Sequence, residues 1–420
     1  MSASLPVLLD CTRMVATGWS GRMPSGIDRV CDAYRAHFAP RAQAVVQLRG
    51  HARVLSPDHS AQLFDLLESP GAGYRARFAA LAARVLAHRP VEAGPALYLN
   101  VSHSDFDLDR HLRWVRASGV RPVYLLHDLI PIEHPQFTTA HKAARHAGRV
   151  RRALEAASGI IANSHDTARA IRAFAQGEGL APPPLLQAPL GAPVLPAPCQ
   201  HRPLDRASFV CVSTIEHRKN HMLLLDVWQR LIAQAGEAAP QLVLIGRWGV
   251  GGKAVRQRYL ADPQLHRFVT IHNHCSDVDI AQHLRSARAL LAPSRAEGFG
   301  LPVAEALRLG VPVIASDLPA FREAGGTVPT FLDPAATDSW LRMIRQFAAD
   351  GPERQRQIIA LKAWRAPDWR DHFVLVDGWL ESLMRPAPSL SAAPAPGDLR
   401  AANDGGNRPG QYHARAGGRR

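Results

Sequence analysis

What the chain lacks narrows its class before any motif is read. Cysteine is scarce: five among 420 residues, at Cys11, Cys31, Cys199, Cys211 and Cys275, with no paired spacing. That argues against a disulfide framework and fits a reducing compartment. No window approaches the ~18 uninterrupted apolar residues that a spanning helix requires. The opening MSASLPVLLDCTRM has no basic n-region and only a short apolar run, so a secretory signal is not expected. Zinc spacing is missing too: His272, His274 and Cys275 crowd one strand end without a second ligand pair, and no metal site is expected. Zinc-finger patterns, aromatic RNP-like strands and long basic helices are likewise absent. This leaves a nucleic-acid-binding reading with only the bulk charge of +14 to support it.

That charge has two readings. It attracts phosphate-rich partners, including nucleotide diphosphates and anionic lipid, or it reflects a chain in which arginine far outnumbers lysine throughout. Hydrophobic content of 46% with 20% charged residues is that of a globular chain able to build a sizeable core. At ~150 residues per domain, the length suggests two or three domains.

Short β-like runs alternate with amphipathic helical patterns, which points to parallel α/β architecture. In the first half the expected strands are PVLLD (6–10), AVVQL (44–48), ALYLNV (96–101), PVYLLHD (122–128) and GIIANS (159–164). Helices are expected at 26–38, 62–87 and 140–157. The segment 181–203 is so rich in proline that no central strand or helix runs through it, and its end reads as the linker. The second half repeats the pattern with FVCVS (209–213), QLVLIG (241–246), FVTIHN (268–273), ALLAPS (289–294) and VPVIASD (311–317). Both halves read as doubly wound Rossmann-like sheets, whose ligands bind beyond the carboxyl ends of the strands. The expected division is an acceptor-side domain at 1–195, a donor-side domain with terminal helices at 204–385, and a disordered tail at 386–420, where large apolar residues are few.

The chemistry gathers in SRAEGFGLPVAEALRLGVPVIASD, from Ser294 onward. A strand ends, Glu297 follows on a loop, and Gly298, Phe299 and Gly300 lead into a helix opened by Leu301. Free N–H groups at such a helix start favour a diphosphate. Glu305, one turn inside, can accept hydroxyls from that ligand, and Glu297 can take those on its other side. Either glutamate alone reads equally well as a solvated loop charge or a dipole-complementing helix charge. As a loop carboxylate, Glu297 is expected to contribute little to the core. FVCVSTIEHRKNHMLLLDVWQRL places Arg218 and Lys219 before an apolar helix, able to neutralise a leaving diphosphate, with Ser213 and Thr214 as hydroxyl donors nearby. Ser25 and Gly26 open the helix at 26–38, while His127 and Asp128 end a strand at the cleft edge. There a histidine can relay a proton or orient a hydroxyl. Asn163 and Ser164 read as a helix cap.

This set resembles the retaining family-4 glycosyltransferases, and the resemblance runs to about Met384. It implies the GT-B fold, two Rossmann-like domains facing across a cleft. It also implies a sugar nucleotide as donor substrate, with no cofactor and no metal. Glu297 and Glu305 would flank the donor sugar and ribose; Ser25, Gly26, Ser213, Thr214, Arg218, Lys219, Gly298, Phe299, Gly300 and Leu301 would hold the donor; and His127, Glu297, Lys219 and Arg218 would act at the reacting carbon. Many members carry an arginine six residues before the lysine, where this chain has Ser213, so Ser213 or Arg218 would take that role. The segment IHNHCSDVDIAQHL resembles the part of the family near the nucleobase. TIEHRKNH and HDLIPIEHP resemble bacterial enzymes of O-antigen, capsule or exopolysaccharide synthesis, often mannosyltransferases using GDP-mannose. The acceptor would then be a glycan or a polyprenyl-diphosphate-linked glycan, reached from the cytoplasm. The basic run HKAARHAGRVRRAL (141–154), with Arg145, Arg149 and Arg152, would touch an anionic inner membrane. A GT-B-fold sugar-nucleotide epimerase or phosphorylase, or a basic nucleic-acid-binding protein, are the competing readings.

Overall fold

The computed structural model describes residues 6–384 apart from positions 23, 70 and 197–205. The expected tail at 386–420 and the end of the expected linker lie outside the described residues. Two open sheets account for the fold. The first holds β1 (Val7–Asp10), β2 (Ala42–Leu48), β3 (His51–Val54), β4 (Leu97–Asn100), β5 (Arg121–Leu126), β6 (Gly159–Ala162) and β7 (Leu185–Gln187). The second holds β8 (Ser208–Val212), β9 (Gln241–Ile245), β10 (Val269–His272), β11 (Ala289–Ala292), β12 (Val313–Ser316) and β13 (Thr330–Leu332). Their orders are β3-β2-β1-β4-β5-β6-β7 and β10-β9-β8-β11-β12-β13. Every pairing is parallel except β2 with β3. In each sheet the order reverses beside the first strand of that half, opening a crevice at the carboxyl ends of the central strands.

Central strands such as β4, β6, β11 and β12 are buried on both faces, as continuous aliphatic runs covered by helices on either side demand. Three edge strands, β3, β7 and β13, escaped the sequence pattern. β3 returns from β2 through Arg49 and Gly50, both at positive φ (51° and 80°), a tight hairpin turn that an Arg-Gly pair does not advertise. β7 forms inside the proline-rich segment, at the sheet edge, where proline is tolerated. The helix expected over 62–87 is instead two, Pro57–Glu68 and Tyr74–Ala87, broken by a turn in which Gly73 has φ 77°.

The division into halves needs one correction. The last helix, Trp369–Met384, does not stay with the second sheet: its Phe373, Val376 and Leu380 are buried in the core of the first. His372 Nδ1 donates to the Pro189 carbonyl at 3.0 Å, and its Nε2 accepts from Tyr34 Oη at 2.9 Å. Asp377 pairs with His37 at 2.8 Å. The apolar stripe of this helix fits the gap left beside the helix Gly26–Phe38, and burying it there stabilises the first half by ~1.5–3 kcal/mol per large side chain.

Gly191 marks how close this helix comes, since a Cβ there would lie 2.4 Å from the Trp369 backbone nitrogen. Gly191→Ala is therefore expected to lower stability by ~1–3 kcal/mol through overpacking, read as a lower urea midpoint at unchanged m-value. An unchanged midpoint would show that the contact yields freely.

Candidate active site

Between the carboxyl ends of the two sheets lies a cleft with a cavity volume of about 430 Å³. All thirteen residues singled out from the sequence line it: Ser25, Gly26, His127, Ser213, Thr214, Arg218, Lys219, Glu297, Gly298, Phe299, Gly300, Leu301 and Glu305. Ser25 caps the helix Gly26–Phe38 in a capping box with Asp28, so the helix start points its N–H groups into the cleft. Opposite it, Gly300 (φ 109°) opens the helix Leu301–Arg308. A Cβ at Gly300 would lie 2.6 Å from the Phe321 ring, and one at Gly298 would lie 2.3 Å from the His127 carbonyl. Only glycines let this loop pass.

Glu297 is the most constrained group in the cleft. Its Oε1 accepts from Lys219 Nζ and from Ser294 Oγ, the latter at 2.7 Å. Its Oε2 accepts from Arg218 Nη1 at 2.9 Å. Arg218 also donates to the Ala296 carbonyl at 2.7 Å and to Glu216 at 2.8 Å. Burial raises the Glu297 carboxyl, but Lys219 and Arg218 outweigh it and hold it at about 2. Burial lowers the Lys219 ammonium, with Glu297 working against that. The expectation of a loop carboxylate with little structural weight is corrected: Glu297 is a largely buried anion that two cations close upon.

Glu305 is its opposite. Burial raises its carboxyl to about 7, and Arg29 offsets this only in part. Arg29 Nε approaches Glu305 Oε1 at 3.4 Å, but the same guanidinium is held more closely by Asp277, at 2.6 Å, whose charge also raises Glu305. This triad joins the first half to the second at one end of the cleft. At the other end Ser164 Oγ donates to the Gly298 carbonyl at 2.6 Å, and His165 N–H to Glu323 Oε2 at 2.8 Å. His127 sits between. Its Nε2 donates to the Val101 carbonyl at 2.8 Å, and burial, against that hydrogen bond, lowers its imidazole to about 4. It is therefore neutral near pH 7, with Nδ1 as the nitrogen free of a proton.

Asp128 and Asn163, read from the sequence as a strand end and a helix cap, line the cleft as well, and so do Asp277 and Ile280 of the expected nucleobase segment; Arg13, Arg29, Glu216 and Arg247 also line it and were not singled out from the sequence. Arg13 meets Asp28 and Ser25 across a turn, and Arg29 meets Asp277 across 248 positions; no local spacing reveals such pairs. In the expected nucleobase segment, Asp277 and Ile280 line the cleft, whereas the His272 ring packs at a tilt against that of His283, with centroids 5.1 Å apart. Among the described residues, no group of three or more His, Cys, Asp or Glu side chains is arranged to hold a metal ion.

The basic run at 141–154 reads differently in three dimensions. Arg145 pairs with Asp107 at 2.7 Å, Arg149 with Asp107 at 3.4 Å, and Arg152 with Asp109 at 2.7 Å. The three arginines expected to form a free positive face are each engaged by an acid of the preceding loop and helix. No helix among the described residues is long and apolar enough to cross a membrane.

Two outcomes follow from the carboxylates. Glu297→Ala leaves Lys219 without an acid partner and Arg218 with Glu216 alone, so it is expected to cost up to about 3–5 kcal/mol of stability, measured by denaturant unfolding; a loss below ~1 kcal/mol would mean the clamp is solvated. For Glu305 the folded value of about 7 stands above its ordinary 4.5. Its contribution favours the folded state fully below about pH 4.5 and is lost as pH rises through about 7. Unfolding midpoints should therefore fall from pH 5 to 8 more steeply in the wild type than in Glu305→Gln; equal slopes would count against a buried, neutral Glu305.

Comparison with known proteins agrees with this geometry. Residues 206–350 match the family described as glycosyl transferases group 1. The serotype-specific mannosyltransferase WbdA of Escherichia coli is 27% identical over 262 residues, covering 56% of this chain and 31% of that protein. The O-antigen chain mannosyltransferase B of Escherichia coli is 30% identical over 144 residues, covering 34% and 37%. The chain thus spans about a third of the length of these curated relatives. Among solved structures, Anabaena HepE in complex with UDP and glucose superposes with a TM-score of 0.59 at 17% identity, covering 90% of this chain and 100% of that one. The chain therefore has the GT-B fold, and its residues 206–350 match the family described as glycosyl transferases group 1.

Proposed function

We propose that the protein is a retaining hexosyltransferase that moves a sugar from a sugar nucleotide to a glycan or lipid-linked glycan acceptor in bacterial surface polysaccharide synthesis. The observation that carries this reading is the Glu297 clamp. A largely buried carboxylate is bound by Lys219 and Arg218 at the mouth of the helix Leu301–Arg308, in a cleft between two Rossmann-like sheets. Mannose is the favoured sugar and GDP-mannose the favoured donor, because the relatives WbdA and O-antigen chain mannosyltransferase B are named as mannosyltransferases.

In this reading the diphosphate lies across the starts of the helices Gly26–Phe38 and Leu301–Arg308, with Glu305 at the ribose. The bond between the sugar C1 and the diphosphate oxygen breaks, and a bond from the acceptor hydroxyl oxygen to C1 forms on the same face. The hydroxyl proton passes to the departing phosphate oxygen. Glu297 does not attack C1: both its oxygens are occupied, and a carboxylate held at about 2 is a weak nucleophile. It orients a sugar hydroxyl and holds Lys219 toward the leaving group. Neutral His127 orients the sugar or the acceptor. The enzyme works in the cytoplasm and needs no metal or other cofactor. Contact with an anionic membrane draws little support from the run at 141–154, whose arginines are paired within the fold.

Thermal stabilisation by GDP against UDP identifies the nucleotide, and transfer of labelled hexose from the matching donor identifies the reaction. Lys219→Ala and Glu305→Ala should each lower turnover at least ~100-fold, as the loss of a charged contact in a closed site does. Near wild-type rates in both would sink the donor-site assignment. Epimerised sugar released without acceptor would point to a sugar-nucleotide epimerase on the same fold.

A further inference from the structure

The loop after β9 reads GRWGVGG, from Gly246 to Gly252, and it has no part in the mechanism above. It is pressed against the loop that follows β8. Ser213 N–H donates to the Ile245 carbonyl at 2.9 Å, Ile215 N–H to the Arg247 carbonyl at 2.8 Å, and Gly249 N–H to the Ile215 carbonyl at 2.9 Å. The parallel pairing of β8 with β9 thus continues past both strand ends, closing with a bridge between Ile215 and Trp248. A Cβ at Gly246, whose φ is 155°, would lie 1.9 Å from the Ser213 carbonyl oxygen. Glycine is the residue that lets the two loops meet, and the meeting fixes the Arg247 backbone beside Ser213 and Thr214 on the cleft wall.

Arg247 lines the cleft and is half-buried. The other four basic residues of that wall are already engaged by acids: Arg13 by Asp28, Arg29 by Asp277 and Glu305, Arg218 by Glu216 and Glu297, and Lys219 by Glu297. Arg247 has no ion pair and no side-chain hydrogen bond among the described residues. Ser213 supplies no charge, and its hydroxyl meets His221 Nε2 at 3.3 Å. A cleft whose cations are otherwise neutralised does not hold a diphosphate well. A guanidinium with open donors does so, because its planar fork matches two phosphate oxygens.

We infer that Arg247 binds the diphosphate of the nucleotide, supplying from β9 the positive charge that Ser213 on the neighbouring strand does not carry. The inference rests on the glycosyl-transfer reading, and it answers which residue stands in for the arginine missing at Ser213: neither Ser213 nor Arg218, which is tied to Glu216 and Glu297, but a residue on the adjacent strand end.

The test uses the full chain and four probes, GDP, UDP, guanosine and uridine, titrated by calorimetry with competition for the weak binders. Arg247→Ser should weaken the preferred diphosphate about tenfold to a hundredfold. It should leave the matching nucleoside unchanged and flatten the salt dependence of diphosphate binding. Arg247→Gln, which keeps most of the bulk, should lose as much, and Arg247→Ser combined with Ser213→Arg should recover part of the loss. Diphosphate affinity within twofold of wild type in Arg247→Ser overturns the inference alone, as does an equal loss for nucleoside and diphosphate. A wild type that binds neither GDP nor UDP overturns the glycosyl-transfer reading and this inference together.

Discussion

One ion cluster holds the site in the form the fold requires. Glu297 lies on a loop that leaves β11, while Lys219 and Arg218 lie on the turn that leaves β8, and the cluster binds these two neighbouring strand ends together. Buried charges are tolerated only when paired and hydrogen-bonded, and here Ser294 and the Ala296 carbonyl complete the set. Because the loop is anchored at Glu297, Gly298 can rest against the His127 carbonyl and Gly300 can deliver the next helix to the cleft. The arrangement has a chemical cost as well. Two cations that neutralise a protein carboxylate have less charge left for a ligand, which makes the remaining basic residues of the wall matter more.

The two glutamates show how environment separates identical side chains. Glu297 meets two cations and stays ionised far below neutrality; Glu305 shares a single arginine with Asp277 and titrates near 7. Eight positions apart in sequence, they present one fixed anion and one group able to accept or donate a hydrogen bond at physiological pH. His127, held neutral by burial, adds a third polarity to the same wall.

The central strands and the cleft residues were legible because both are local. A run such as ALLAPS followed by EGFGLP tells of a strand, a loop and a helix start without any knowledge of the partner. What escaped the sequence was pairing at long range. Arg29 reaches Asp277 across 248 positions, and Arg145, Arg149 and Arg152 are claimed by acids more than thirty positions earlier, so a stretch that reads as a free basic face is an ion-pair network. Glu297 was misjudged for the same reason, since loop placement in sequence says nothing about burial. The edge strands β3, β7 and β13 are three or four residues long and lack the continuous aliphatic run that makes equally short central strands such as β6 and β11 legible.

The helix Trp369–Met384 closes the core of the half where the chain begins. During synthesis the amino-terminal half emerges first, but its apolar surface around Tyr34 and Phe38 stays uncovered until Phe373, Val376 and Leu380 leave the ribosome. Domains ordinarily fold in the order they are made; here the first to appear is the last to be finished. The nascent protein therefore leaves that part of the first core unsealed until this helix has been made. It also ties the completion of one half to the synthesis of the other.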